Sequence, residues 1–138
     1  MADSTVAAIQ AINASVGLHA PTAYPVQATA ADFPLAVTFV GPMEGKKFGV
    51  TTYITLVMLA DPQLGVDASQ VFDQGNALLK AMRAEYRTHA NIDGHAIAAG
   101  GHPALRTGFG SPYGMVNMVK FAGKELYGFE WHVSLMEP

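Results

Sequence analysis

Hydrophobic and polar positions follow different repeats along this chain, and each repeat predicts an element. Val6, Ile9, Ile12 and Val16 recur at spacings of three and four, the signature of one helix face. Asp3 or Ser4 can cap the free N–H groups at its start, and Gly17 marks its end. Residues 18–34 contain Pro21, Pro25 and Pro34 and keep neither a helical nor an alternating repeat, so they form a connector or arm. A short apolar run, 35–40, lies between Pro34 and Gly41-Pro42 and predicts a buried strand. A charged turn follows, with Glu44, Gly45, Lys46 and Lys47. From 47 to 60, Phe48, Val50, Thr52, Ile54, Leu56 and Met58 take one side of an extended segment, while Tyr53, Val57 and Leu59 take the other. A strand that is apolar on both sides needs two covers. Helices can supply one; the other must come from a further layer or a second subunit.

The next helix has the best-defined start. Asp67 and Gln70 have the spacing of a capping box, and Val66 and Val71 that of a hydrophobic staple. Val71, Gly75, Leu78, Met82 and Tyr86 trace one stripe, with Phe72 and Leu79 beside it; Lys80, Arg83, Arg87 and His89 bring positive charge toward the C-terminal end. A glycine inside a helix costs roughly 1 kcal/mol against alanine, so Gly75 is expected to mark a close approach to a neighbour. Residues 91–112 hold five glycines and give only a weak strand signal at 92–98, so the rest is expected to be a flexible loop. Alternation returns with Tyr113, Met115, Asn117, Val119 and Phe121, turns at Ala122-Gly123-Lys124, and continues with Tyr127, Phe129, Trp131, Val133 and Leu135 on one face and Gly128, Glu130, His132 and Ser134 on the other. The predicted fold is α+β, a mainly antiparallel sheet with two α-helices packed on one face, in a single domain spanning 1–138.

Composition narrows the function classes. Half of the residues are hydrophobic and only 14% are charged, against a usual ~25%. With a net charge of -3, the chain lacks the profile of a disordered tail or a basic nucleic-acid module. There is no cysteine, which excludes disulfides, thiolate metal sites and a cysteine nucleophile. Residues 1–10 carry neither a basic residue nor a long apolar run, so no signal peptide is expected and synthesis in the cytoplasm is the simplest expectation. A chain so poor in charge exposes much apolar surface as a monomer, and burial between subunits is the economical remedy.

Candidate chemistry is sparse. His89, His95 and His102 with Asp93 could converge on a metal, but no histidine pair has the spacing that presents two ligands from one helix or strand face, so solvated loop histidines are expected and no metal site. Glu130 and His132 share a strand face and could act as an acid–base pair, although charged residues are ordinary on the outer side of a strand. The segment 108–114 misses dinucleotide-binding spacing, and Ser111 is followed by Pro112 and so lies in no nucleophile elbow. The basic pairs Lys46, Lys47 and Lys120, Lys124 are too few for a phosphate footprint. No catalytic residue, metal ligand or cofactor-binding residue is assigned.

The order of elements, the proline-led segment Phe33-Pro34-Leu35-Ala36-Val37 and the closing stretch Val119-Lys120-Phe121-Ala122-Gly123-Lys124-Glu125-Leu126-Tyr127-Gly128-Phe129-Glu130-Trp131 resemble the tail-terminator, or tail-completion, proteins of long-tailed bacteriophages. The motif is specific only at the last hairpin; the stretch 91–112 and Glu130 depart from the pattern. The resemblance implies a non-enzymatic structural protein of the virion, made in the host cytoplasm. It implies a homo-oligomeric ring, usually of six copies, that caps the tail tube, ends its polymerisation and meets the tail-tube protein and the connector proteins of the head and neck. Six copies at -3 each carry about -18, so DNA is expected to traverse such a lumen without being gripped. The expected subunit-interface residues are Tyr53 and Val57, taken as the outer face of the long strand, and Glu44, Lys46 and Lys47 in the charged turn. The alternatives are another neck or tail component (head-completion, connector or tail-tube subunit) or a small ferredoxin-like dimeric enzyme using Glu130, Trp131 and His132.

Overall fold

The computed structural model describes residues 4–22, 32–41, 50–89, 92, 98–104 and 116–136. Among these, helix α1 (Ser4–Ser15) leads into strand β1 (Leu35–Val40) and the long strand β2 (Val50–Ala60). A 3-10 turn (Pro62–Leu64), helix α2 (Ala68–Thr88) and strands β3 (Ala98–Ala104), β4 (Asn117–Phe121) and β5 (Lys124–Met136) follow. The sheet is antiparallel with order β1-β2-β5-β3, and β4 also pairs with β5. This is the α+β architecture that the sequence predicts.

Helix boundaries follow local chemistry. The chain leaves α1 through Gly17, whose φ of 95° is easy only for glycine. At α2 the Asp67 carboxylate accepts from Ser69 N–H at 3.0 Å, while Val66 stays exposed and Val71 is buried. Gly75 does mark a close approach: a Cβ there would meet Leu59 Cδ1 at 2.9 Å and collide with Val116 Cγ2. The β4–β5 hairpin turns on two residues, Ala122 (φ 51°) and Gly123 (φ 80°), both left-handed as a type I′ turn requires.

Register assigns every strand residue to a face. Val57 lies opposite both Ala36 and Phe129, Thr55 opposite Thr38 and Trp131, and Tyr53 opposite Val133. This face meets α1 and α2, and its cluster includes Ile9, Ile12, Met82, Phe129 and Trp131. Tyr53 is 3% exposed and Val57 0%. The expectation that Tyr53 and Val57 form an outer contact face is therefore corrected. The strand is apolar on both sides, and periodicity alone cannot say which side the helices take. Glu44, Lys46 and Lys47 lie outside the described residues. The opposite face carries a second cluster, Leu35, Val37, Ile54, Leu56 and Met58 with Val119, Phe121 and Leu126 from the closing hairpin. Part of the second cover thus comes from the chain's own hairpin.

One edge has a definite chemistry. Gly41 N–H donates to Thr52 O at 2.7 Å, and Ala36 N–H donates outward to His19 O at 2.8 Å. Odd positions of β1 therefore face β2. Carrying the alternation through β2 and β5 leaves Ala99, Gly101 and Pro103 with their main-chain groups on the outer edge of β3. Pro103 has no N–H to offer there, and a sheet edge is where proline is tolerated.

Candidate functional site

Two groups of polar side chains stand out, one on each face of the sheet. The first lies between the helices and the sheet. Gln10 and Asn13 sit three residues apart on the buried side of α1, 1% and 0% exposed. Gln10 Nε2 donates to Ala36 O at 2.8 Å and to Pro21 O at 2.9 Å, so one amide ties the helix, the following connector and β1 together. Asn13 Nδ2 and Thr38 Oγ1 both donate to Gln10 Oε1 at 2.9 Å. A hydroxyl has one proton to give. With that of Thr38 spent on Gln10, the 2.7 Å contact between Thr38 and Thr55 is a donation from Thr55. Tyr86 OH, from α2, donates to Asn13 Oδ1 at 2.8 Å. Burial pushes the Tyr86 phenol well above its ordinary range, a rise that the hydrogen bond to Asn13 only partly opposes.

The Tyr86 ring rests on Trp131 with centroids 5.2 Å apart. Trp131 is 0% exposed, and its Nε1 has no hydrogen-bond partner among the described residues. The donors and acceptors of Gln10, Asn13, Thr38 and Tyr86 are directed at one another and at main-chain carbonyls. The network therefore locks helices to sheet. The sequence reading missed it, although a signal existed: Gln10 and Asn13 stand four residues beyond Val6 and Ile9, inside the apolar stripe of the helix.

The second group lies on the opposite face. Glu130 and His132 project from β5 on the same side, and the imidazole Nε2 lies 3.1 Å from Glu130 Oε1. Their side chains are 13% and 26% exposed. Ile54 and Leu56 of β2 lie opposite them in register, an apolar flank beside the pair. The structure thus brings together the acid–base pair that strand periodicity suggests. Trp131 points away from it, on the helix side, so the three residues named for an enzyme-like site do not form one cluster.

The other chemical candidates separate. His89 ends α2 and contacts Glu85 Oε1 at 3.2 Å on its own helix. Asp93, His95 and Ser111 lie outside the described residues. Among the residues whose side chains are described, no group of three His, Asp or Glu is placed to hold a metal ion. Lys124 pairs with Asp61 at 3.6 Å, and Asp61 also accepts from Gln63 N–H at 2.9 Å. This joins the hairpin turn to the 3-10 turn. Between them lies an open cleft of 570 Å³ lined by Asp61, Gln63, Leu64, Met118, Lys124 and Glu125. Among the described residues, no helix is long and apolar enough to cross a membrane.

Comparison with protein-family models, with curated proteins and with solved structures finds no match for this chain.

Proposed function

We propose that the chain is a structural assembly subunit, and that it works as a phage tail-terminator-like ring protein capping a tail tube and joining it to the head-proximal neck. The observation that carries the reading is where polarity and greasiness lie. The space between sheet and helices, where a small α+β enzyme keeps its substrate pocket, is filled by Ile9, Val57, Met82, Phe129 and Trp131, all 2% exposed or less. The polar network there is internally bonded. Large apolar side chains are instead exposed at the two ends of the β1–β2 hairpin: Val40 at 45% at one end, Leu64 at 60% and Val66 at 37% beyond the other. A ring joins one patch of a subunit to a different patch of the next. Two separated apolar ends suit that arrangement. The closing hairpin, which carries the sequence resemblance, packs its Val119, Phe121 and Leu126 against β1 and β2.

Negative-stain images of the purified chain, and labelled chain in assembled particles, test the reading. Rings in solution, or label at the head-proximal end of the tube, are expected. A strict monomer at high concentration together with absence from particles overturns it, and label along the whole tube identifies a tube subunit instead. Leu64→Asp is expected to leave the melting temperature nearly unchanged, as surface substitutions do within about 0.5 kcal/mol, while reducing association measured by sedimentation.

A further inference from the structure

We propose that the cleft between the 3-10 turn and the β4–β5 hairpin turn receives the β1–β2 connection, residues 42–49, of a neighbouring copy of this chain. The contact rests on the assembly reading and names the two surfaces that a subunit brings to it. The cleft has a volume of 570 Å³, within the ~300 to 1,000 Å³ common for occupied sites. Its walls are mixed in character. Leu64, 60% exposed, and Met118 are apolar, and Lys124 neutralises Asp61 from 3.6 Å. Glu125 is exposed and pairs with no cation among the described residues, so the cleft keeps one uncompensated negative charge.

The complement belongs to the far end of the β1–β2 hairpin. Residues 42–49 hold Lys46 and Lys47 against the single carboxylate of Glu44, with Met43 and Phe48 flanking the charges. Val40, just before them, is 45% exposed. An acidic cleft with an apolar wall thus matches a basic segment with apolar flanks. Distance decides whose cleft the segment fills. β2 has 11 residues, which at ~3.3 Å per residue puts Val50 ~33 Å from Ala60, and the cleft begins at Asp61, directly after Ala60. A segment tied at Gly41 and Val50 must go out and come back, so at ~3.6 Å per residue its reach is ~16 Å. It cannot touch the cleft of its own chain. A second copy placed head to tail supplies it, and the same step repeated joins a third, as a ring requires. Opposite charges at an exposed contact are screened by salt, so association is expected to weaken as ionic strength rises.

The test begins with the unaltered full chain. Isotope-labelled and unlabelled subunits are mixed, assembled, and treated with a carbodiimide, which condenses a touching amine and carboxylate. Mass spectrometry is expected to find Lys46 or Lys47 of one copy joined to Glu125 or Asp61 of another, with Lys124 joined to Asp61 inside single copies as the internal control. Glu125→Lys is expected to weaken association at least tenfold in sedimentation, and Lys46→Glu combined with Lys47→Glu to do the same. Mixed in equal amounts, the two variants are expected to associate again, alternating copy by copy. Should a variant fail to fold, the cross-links of the unaltered chain still decide. Assembly without those cross-links, or charge variants that assemble as the natural sequence does, overturns the proposal and leaves the assembly reading standing. Glu125 joined to a different protein in particles gives the cleft another occupant and overturns it too. A chain monomeric in solution and absent from particles removes the assembly reading, and this contact with it.

Discussion

The two faces of the sheet solve the same burial problem with different materials. The helix side combines large aromatic side chains with a closed hydrogen-bond network, Gln10, Asn13, Thr38, Thr55 and Tyr86 beside Trp131. The other side is mainly aliphatic, Leu35, Val37, Ile54, Leu56 and Met58 with Phe121 from the closing hairpin, and carries the polar pair Glu130 and His132. Aliphatic packing is tolerant of shape, whereas a buried polar network is costly unless every member is satisfied. The helix side therefore fixes a single relation of helices to sheet, and the other side can accept change in side-chain volume.

The largest effect expected from that difference is at Trp131. Trp131→Ala should lower stability by about 3 to 5 kcal/mol, read from chemical denaturation, because it removes a fully buried indole from the core. A loss below 1 kcal/mol breaks the comparison outright. Gly75→Ala should cost about 1 to 3 kcal/mol, despite the better helix propensity of alanine, since the new methyl group meets Leu59 and Val116. A gain in stability shows that α2 can lift from the sheet without penalty.

Tyr86→Phe should cost about 1 to 3 kcal/mol by leaving Asn13 Oδ1 short of a donor in a dry interior. It also sharpens the contrast through pH. Below about pH 10 the phenol is neutral in both folded and unfolded chains. Above that value the unfolded chain loses the proton while the buried phenol keeps it. The folded chain then holds more protons, so stability falls as pH rises, by up to about 1.4 kcal/mol per pH unit, until the folded-state value is reached. Denaturation between pH 9 and 11 should show this slope in the natural sequence and a shallower one in Tyr86→Phe. The smallest effect belongs to the other face: Ile54→Val should cost about 0.5 to 1.5 kcal/mol, measured in the same way.

Much of the fold is legible in the sequence because its signals are local. The spacing of Val71, Gly75, Met82 and Tyr86 gives the buried stripe of α2, and the alternation from Tyr127 to Leu135 gives the inward residues of β5. β3 is another matter. Its sequence AAGGHPA has almost no strand propensity, and the strand exists because β5 offers it a ladder. The face assignment of Tyr53 and Val57 fails for a related reason: when both sides of a strand are apolar, only the positions of α1 and α2, fixed by long-range packing, decide which side is inside. The meeting of Glu130 with His132 follows from a spacing of two on a strand. The network of Gln10, Asn13, Thr38, Thr55 and Tyr86 joins residues up to 73 positions apart, and no local pattern shows that they meet.

Pro103 carries a consequence for growth. A stack of copies joined by continuous main-chain pairing would need a donor at every step along both borders, and here the β3 border lacks one at Pro103, next to its end. Such a molecule is poorly suited to endless fibres. The proposed ring would then be built on side-chain contacts at the strand tips, where a fixed rotation per neighbour can close a finite circle.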